Sequence, residues 1–177
     1  TCGEGPWLRD RDREALVRTT VEAARGRLTV ALQVTDSSSV RVLDNIDRAA
    51  ALGVEIAVVA APPFFLNATP KRLLGHYTEI ARASVLPVGL YDRGAGSPYV
   101  VPEPMLADLL AEPNIVVVKD SSQQVSRRDA YLKGRAARPS LRLFSGGEFD
   151  TVEYLAAGYD GLLLGGGIFN ARMALQI

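Results

Sequence analysis

Six short apolar runs rich in β-branched residues alternate along the chain with amphipathic segments of helical period, at residues 28–35, 54–61, 86–91, 115–119, 141–145 and 161–164. No other property of the sequence narrows the architecture as much, because repeated βα units bury their strands in one parallel sheet with helices packed against it. Each run is nearly continuous in apolar side chains. That is the pattern of strands covered on both faces, whereas half-exposed antiparallel strands alternate apolar with polar. Helices are predicted over residues 10–25, 39–52, 71–83, 103–110, 127–137 and 151–157. Ser39 and Thr151 are placed to cap two N-termini, and Gly53 and Gly158 to end two helices.

Six strands fit either an open doubly wound sheet or most of an eight-stranded barrel. An open nucleotide-binding sheet carries a glycine-rich turn after its first strand, but the turn after Thr35 is Asp36-Ser37-Ser38-Ser39, so the sequence favours the barrel. The expected fold is an α/β (β/α)8 TIM barrel with about six of its eight strands in these 177 residues. We read the whole of 1–177 as a single catalytic barrel domain lacking its first strands and its C-terminal helices, a partial chain that opens on Thr1 and not on Met. A hydrophobic content of 47% supplies one sizeable core. Twenty basic residues balance twenty acidic ones without a run of one sign, so no nucleic-acid or membrane-surface footprint is expected and a small molecule is the expected partner. No apolar stretch approaches the roughly 20 residues of a membrane helix. The single cysteine, Cys2, leaves no disulfide framework and fits a reducing, cytoplasmic setting.

Barrel active sites lie at the C-terminal ends of the strands, so the polar residues that end the apolar runs are the candidates: Asp36, Tyr91 with Asp92, Lys119 with Asp120, Ser145 with Glu148, and Gly165 to Gly167. Lys119 stands out, following Ile115-Val116-Val117-Val118. An amine pointed into an apolar interior has its charged form disfavoured, and a neutral amine attacks ketones to form imines. A strand-end lysine also snorkels to solvent or pairs with a neighbour such as Asp120, and the spacing alone leaves both readings open. Tyr91, ending another strand, could move protons in the same cavity or simply rest its ring at the rim. The only histidine, His76, lies mid-helix away from any His/Cys cluster, so it reads as a surface or packing residue and no metal is expected. Gly165-Gly166-Gly167 could cradle a phosphate or merely allow close backbone approach. Trp7 and Pro6 are expected to pack in their loop.

Taken together these residues resemble the dihydrodipicolinate synthase and N-acetylneuraminate lyase family of class I, pyruvate-type aldolases, over nearly the whole chain. Residues 113–122, Pro-Asn-Ile-Val-Val-Val-Lys-Asp-Ser-Ser, are similar to its Schiff-base strand, and 86–92, Leu-Pro-Val-Gly-Leu-Tyr-Asp, to its tyrosine strand. Thr1-Cys2-Gly3-Glu4 resembles its carboxylate loop, in which a hydroxyl and oriented N–H groups hold a keto-acid carboxylate. The segments 61–65, 144–147 and 158–164 fall at its later strand-end motifs.

The resemblance implies that Lys119 and Tyr91 are catalytic, and that Thr1, Cys2, Gly3, Phe65, Gly146 and Leu163 bind substrate. The implied substrates are pyruvate or a related 2-keto acid with an aldehyde or sugar acid, handled without cofactor or metal in a homodimer or homotetramer. Three positions depart from the synthase pattern: Phe65 replaces a second tyrosine, Cys2 a hydroxyl residue, and Gly96 an arginine five positions after the tyrosine, to which Arg93 is close but not equivalent. They point away from dihydrodipicolinate synthesis and toward an aldolase, dehydratase or sugar-acid lyase. Two alternatives stay open: a degenerate keto-acid-binding barrel, or an enzyme holding a phosphorylated ligand at Gly165 to Gly167.

Overall fold

The computed structural model describes residues 3–176. Six parallel strands, β1 (Ala31–Gln33), β2 (Ile56–Ala60), β3 (Val88–Asp92), β4 (Ile115–Asp120), β5 (Arg142–Ser145) and β6 (Gly161–Leu162), form one sheet in sequence order. Helix α1 (Asp10–Ala24) precedes β1. Then α2 (Ser39–Ala51), α3 (Pro70–Ala83), α4 (Glu103–Leu110), α5 (Val125–Ala137) and α6 (Thr151–Ala156) join successive strands, and α7 (Gly167–Ala174) follows β6. Strands that pair strictly with their sequence neighbours follow barrel order, without the reversal of a doubly wound sheet. The chain therefore builds six strands of a (β/α)8 barrel.

Local chemistry explains most element ends. The Thr69 side chain accepts from Arg72 N at 3.2 Å, and Pro70 then opens α3, where its missing N–H costs nothing. Gly53 (φ +86°) and Gly158 (φ +109°) carry the left-handed turns just past α2 and α6, as their sequence positions suggested.

Both predicted caps shift. Ser38, not Ser39, caps α2 by accepting from Arg41 N, while Ser39 is already helical and donates its hydroxyl to Glu79 across to α3 at 2.6 Å. Thr151 is the first helical residue of α6, and the preceding Asp150 makes no side-chain cap. The predicted edge runs shrink to three residues in β1 and two in β6, because each has a single pairing partner among the described residues. Helix α7 was not foreseen. It opens on a glycine and is broken at Asn170 (φ −119°), so no propensity signal announces it. Trp7 is 81% exposed and does not pack in its loop.

The sheet's two faces differ. Toward the helices, Ala57, Val59, Val88, Leu90, Val118 and Leu143 are buried in the main core with Ile46, Leu73, Ile80 and Leu106. On the opposite face Val58, Tyr91, Val117, Lys119 and Phe144 are only half-buried. The continuous apolar runs thus have one face sealed and one turned to a cavity. Between β3 and β4 the register shifts once: Val88 pairs with Ile115, but Gly89 pairs with Val117, leaving Val116 as an extra residue. Beyond that point Tyr91 stands beside Lys119 and Asp92 beside Asp120.

Candidate active site

Registered neighbours in a parallel sheet share a face, so pairing Tyr91 with Lys119 and Lys119 with Phe144 sets all three on the half-buried side. The Lys119 Nζ lies over the Tyr91 ring, 4.8 Å from its centroid, in a cation–π arrangement. Both line an open cavity of about 840 Å³, together with Gly3, Gln33, Val58 and Leu163 and with apolar residues of α7. Beneath the pair, Gly89 leaves space for its neighbours, since a Cβ there would come within 2.8 Å of Val117 Cγ1. Gly146 does the same behind the lysine: a Cβ would fall 2.5 Å from Lys119 Cε and 2.0 Å from Ser121 Oγ. An amine and a phenol converging on one cavity have the chemistry to serve as a nucleophile and an acid–base partner.

The next residue on each strand points the other way, into the helix layer. Asp92 accepts from Gly94 N at 2.8 Å, from Arg127 Nε at 2.5 Å and from the Tyr131 hydroxyl at 2.6 Å. Arg127, with its side chain 3% exposed, also donates to Val101 O at 2.9 Å. Burial pulls the Arg127 pKa down, but Tyr131 and Asp92 together raise it above its ordinary value. Asp120 accepts from Ser122 N at 2.8 Å and from the Tyr159 hydroxyl at 2.9 Å. Its burial raises the carboxyl pKa despite those bonds, and the charge of Asp92 adds to the rise. Tyr159 is pushed well above a normal phenol, first by burial and then by the Asp120 charge.

The structure thus brings Lys119, Tyr91, Gly3 and Leu163 to one cavity, with Gly146 against the lysine stem. Phe65 sits elsewhere, 5.3 Å from the His76 ring and 6.2 Å from Tyr99, and is not in the cavity lining. Thr1 and Cys2 lie outside the described residues. His76 is a buried packing residue, its pKa lowered by burial with weak opposition from Glu79. Arg93 lines a neighbouring cavity with Gln33, Thr35 and Asp36. Within the triple glycine, Gly166 N donates to Glu148 Oε1 at 2.6 Å, so one of its N–H groups is taken by a carboxylate. Among the described residues no group of three His, Cys, Asp or Glu is arranged to hold a metal ion, and no helix is long and apolar enough to cross a membrane. Sequence reasoning missed Gln33 and Val58 in the lining and the Arg127–Tyr131 pair. The one available signal for that pair was its i, i+4 spacing, which any helix offers.

Comparison with known proteins decides the family. The model of the dihydrodipicolinate synthetase family matches residues 1–171. The chain belongs to this family. Among curated relatives, the 4-hydroxy-tetrahydrodipicolinate synthase of Stenotrophomonas maltophilia (strain K279a) is 31% identical over 163 residues, covering 92% of this chain and 54% of the relative. That of Xanthomonas campestris pv. campestris is 32% identical over 164 residues, covering 92% and 53%. The chain therefore spans about half the length of the curated relatives it matches. A prophage protein of the dihydrodipicolinic acid synthase family from E. coli K12, solved in complex with pyruvate, superposes with a TM-score of 0.88 at 20% identity, covering 99% of this chain and 59% of that one. The dihydrodipicolinate synthase of Acinetobacter baumannii, also complexed with pyruvate, gives a TM-score of 0.88 at 22% identity, covering 99% and 59%. At these identities the likeness speaks for the fold.

Proposed function

We propose that this chain carries the reacting face of a pyruvate-type lyase or aldolase, with Lys119 as the Schiff-base nucleophile and Tyr91 as its proton relay. The observation that carries the reading is the pairing of Tyr91 with Lys119 on the cavity-lining face, the amine 4.8 Å from the ring centroid. In this reading the neutral amine adds to the ketone carbon of pyruvate or a related 2-keto acid. The carbinolamine loses water with a proton supplied through Tyr91. The protonated imine accepts the electron pair of the breaking carbon–carbon bond to become an enamine, or loses a proton from the carbon next to the imine to give the enamine that supplies the pair as the bond forms. Gly3, with Thr1 and Cys2, holds the keto-acid carboxylate, while Leu163 and Gly146 shape the cavity wall and the space around the lysine. The second substrate is an aldehyde or sugar acid, and the working form is a cytoplasmic homodimer or homotetramer. Two family structures solved with pyruvate support the keto-acid half of the reaction.

The substrate branch stays apart from the synthase name. Phe65 lacks a hydroxyl and stands away from the cavity, and Gly96 offers no side chain for a second carboxylate. A keto-acid-binding chain without turnover is the second reading these two positions favour. Borohydride reduction in the presence of pyruvate, followed by peptide mass spectrometry, tests the chemistry: an adduct on Lys119 and none on Lys71 or Lys133 is expected. Absence of that adduct sinks the proposal. An adduct without product from any aldehyde or sugar acid supplied selects the second reading.

A further inference from the structure

The two reacting strands end alike. After Tyr91 comes Asp92, and after Lys119 comes Asp120. Each carboxylate accepts the backbone N–H two residues on, at 2.8 Å in both cases, and each accepts a tyrosine hydroxyl, Asp92 from Tyr131 of α5 and Asp120 from Tyr159 between α6 and β6. The backbone is tied across as well: Ser121 N donates to Asp92 O and Gly146 N to Asp120 O, both at 2.7 Å. The two ends differ in charge. Asp92 has the buried Arg127 guanidinium at 2.5 Å, while Asp120, 1% exposed, is held by the neutral donors Ser122 N and Tyr159. Burying a carboxylate that is held by neutral donors is costly.

We propose that Asp120, anchored by the Tyr159 hydroxyl, is a positioning residue for Lys119. Asp120 faces the helices, so it does not touch the cavity. It acts by locking the last residue of β4 to the turn that follows, which fixes the direction in which the preceding side chain leaves the strand. Tyr159 is itself held in place: Gly158 turns the chain at φ +109°, Tyr159 N donates to Tyr154 O at 3.0 Å, and its ring meets that of Tyr154 edge-on at 4.9 Å. The anchor thus links the reacting amine, through two side chains, to the segment between α6 and β6.

This inference rests on Lys119 being the reacting amine, and two readouts separate the claims. The first is competitive reductive methylation with formaldehyde and cyanoborohydride across pH. Lys119 labelling is read against Lys71 and Lys133 by mass spectrometry, in variants whose circular dichroism matches the parent. The second is the rate and half-saturation of pyruvate trapping. Asp120→Ala is expected to change Lys119 labelling about tenfold and to shift its pH midpoint, with Lys71 and Lys133 unmoved, as befits two lost hydrogen bonds. Tyr159→Phe is expected to give about a threefold change in the same direction. Asp120→Asn, which keeps an acceptor for Ser122 N, recovers toward the parent. Parent-like labelling of Lys119 in folded Tyr159→Phe and Asp120→Ala overturns the proposal. If Asp120→Ala does not fold, Tyr159→Phe alone decides. A parent chain that traps no pyruvate defeats the imine reading, while the labelling still decides the positioning role.

Discussion

On the helix-facing side of the sheet Val59, Leu90, Val118 and Leu143 are sealed in a continuous core, whereas on the other side Val117 and Phe144 are half-buried and Val58, Tyr91 and Lys119 line an open cavity. Adjacent residues of the same strands serve the two sides, so β4 alternates between them from Val117 to Asp120. Stability and chemistry are divided by strand parity. Burying one leucine on the sealed side stabilises the fold by about 1.5–3 kcal/mol, and no residue there reaches the cavity. The open side contributes less to the core and carries the groups with something to do.

Several substitutions and one titration break or sharpen this contrast. The largest expected effect is Lys119→Ala, which should abolish borohydride-trapped pyruvate adduct while the urea midpoint stays close to that of the parent. A matching loss of stability would show that the two faces are not separable. Arg127→Ala strands the Asp92 carboxylate beneath Tyr91 and should cost about 3–5 kcal/mol in denaturant unfolding. Its companion Leu143→Ala, on the same face, should cost about 2–5 kcal/mol without touching the ion pair. Gly146→Ala pushes a methyl to 2.5 Å from Lys119 Cε. It should cost about 1–3 kcal/mol and slow pyruvate trapping, whereas Gly75→Ala, in open space on α3, should do neither.

The smallest effect is a titration. His76 is the only histidine, so its proton resonances are unambiguous, and burial should make it titrate below 6.5. Neutral His76 contributes its stability in full above the unfolded value near 6.5, and loses it as pH falls toward the folded value. Unfolding midpoints should therefore decline over that interval in the parent and less so in His76→Phe. A normal or raised value would contradict its placement among Phe65 and Tyr77.

The division between the two faces was not legible in the sequence, whose continuous apolar runs read as strands covered on both sides, but the strands and the candidate residues at their ends were. Lys119 and Tyr91 announced themselves because a polar residue ending an apolar run must lie at a strand's C-terminal rim, and the six βα units followed from patterning alone. Other features left no trace. Arg127 and Tyr131 look like any exposed helical pair until the tertiary fold turns them toward Asp92. Phe65 matched a family position by alignment of motifs, yet its ring packs on His76 and Tyr99, because neighbouring apolar surface decides where a loop phenylalanine goes. The edge strands were overestimated since apolar content reports burial, while strand length depends on having a partner to pair with.

The extra residue in β4 has a consequence out of proportion to its chemistry. Paired one-for-one from Val88 and Ile115, with Val116 taken into the ladder, Tyr91 would stand beside Val118, and Lys119 would fall next to Asp92. The amine would then face the helices beside the Asp92 carboxylate, and Val118 would face the cavity in its stead. Val116 makes the count odd or even, and so acts as a frame-setting position for the whole site. Drawing Val116 into the ladder would leave composition, hydropathy and motif unchanged, yet turn the Lys119 side chain to the other face, whereas deleting it would keep Tyr91 beside Lys119.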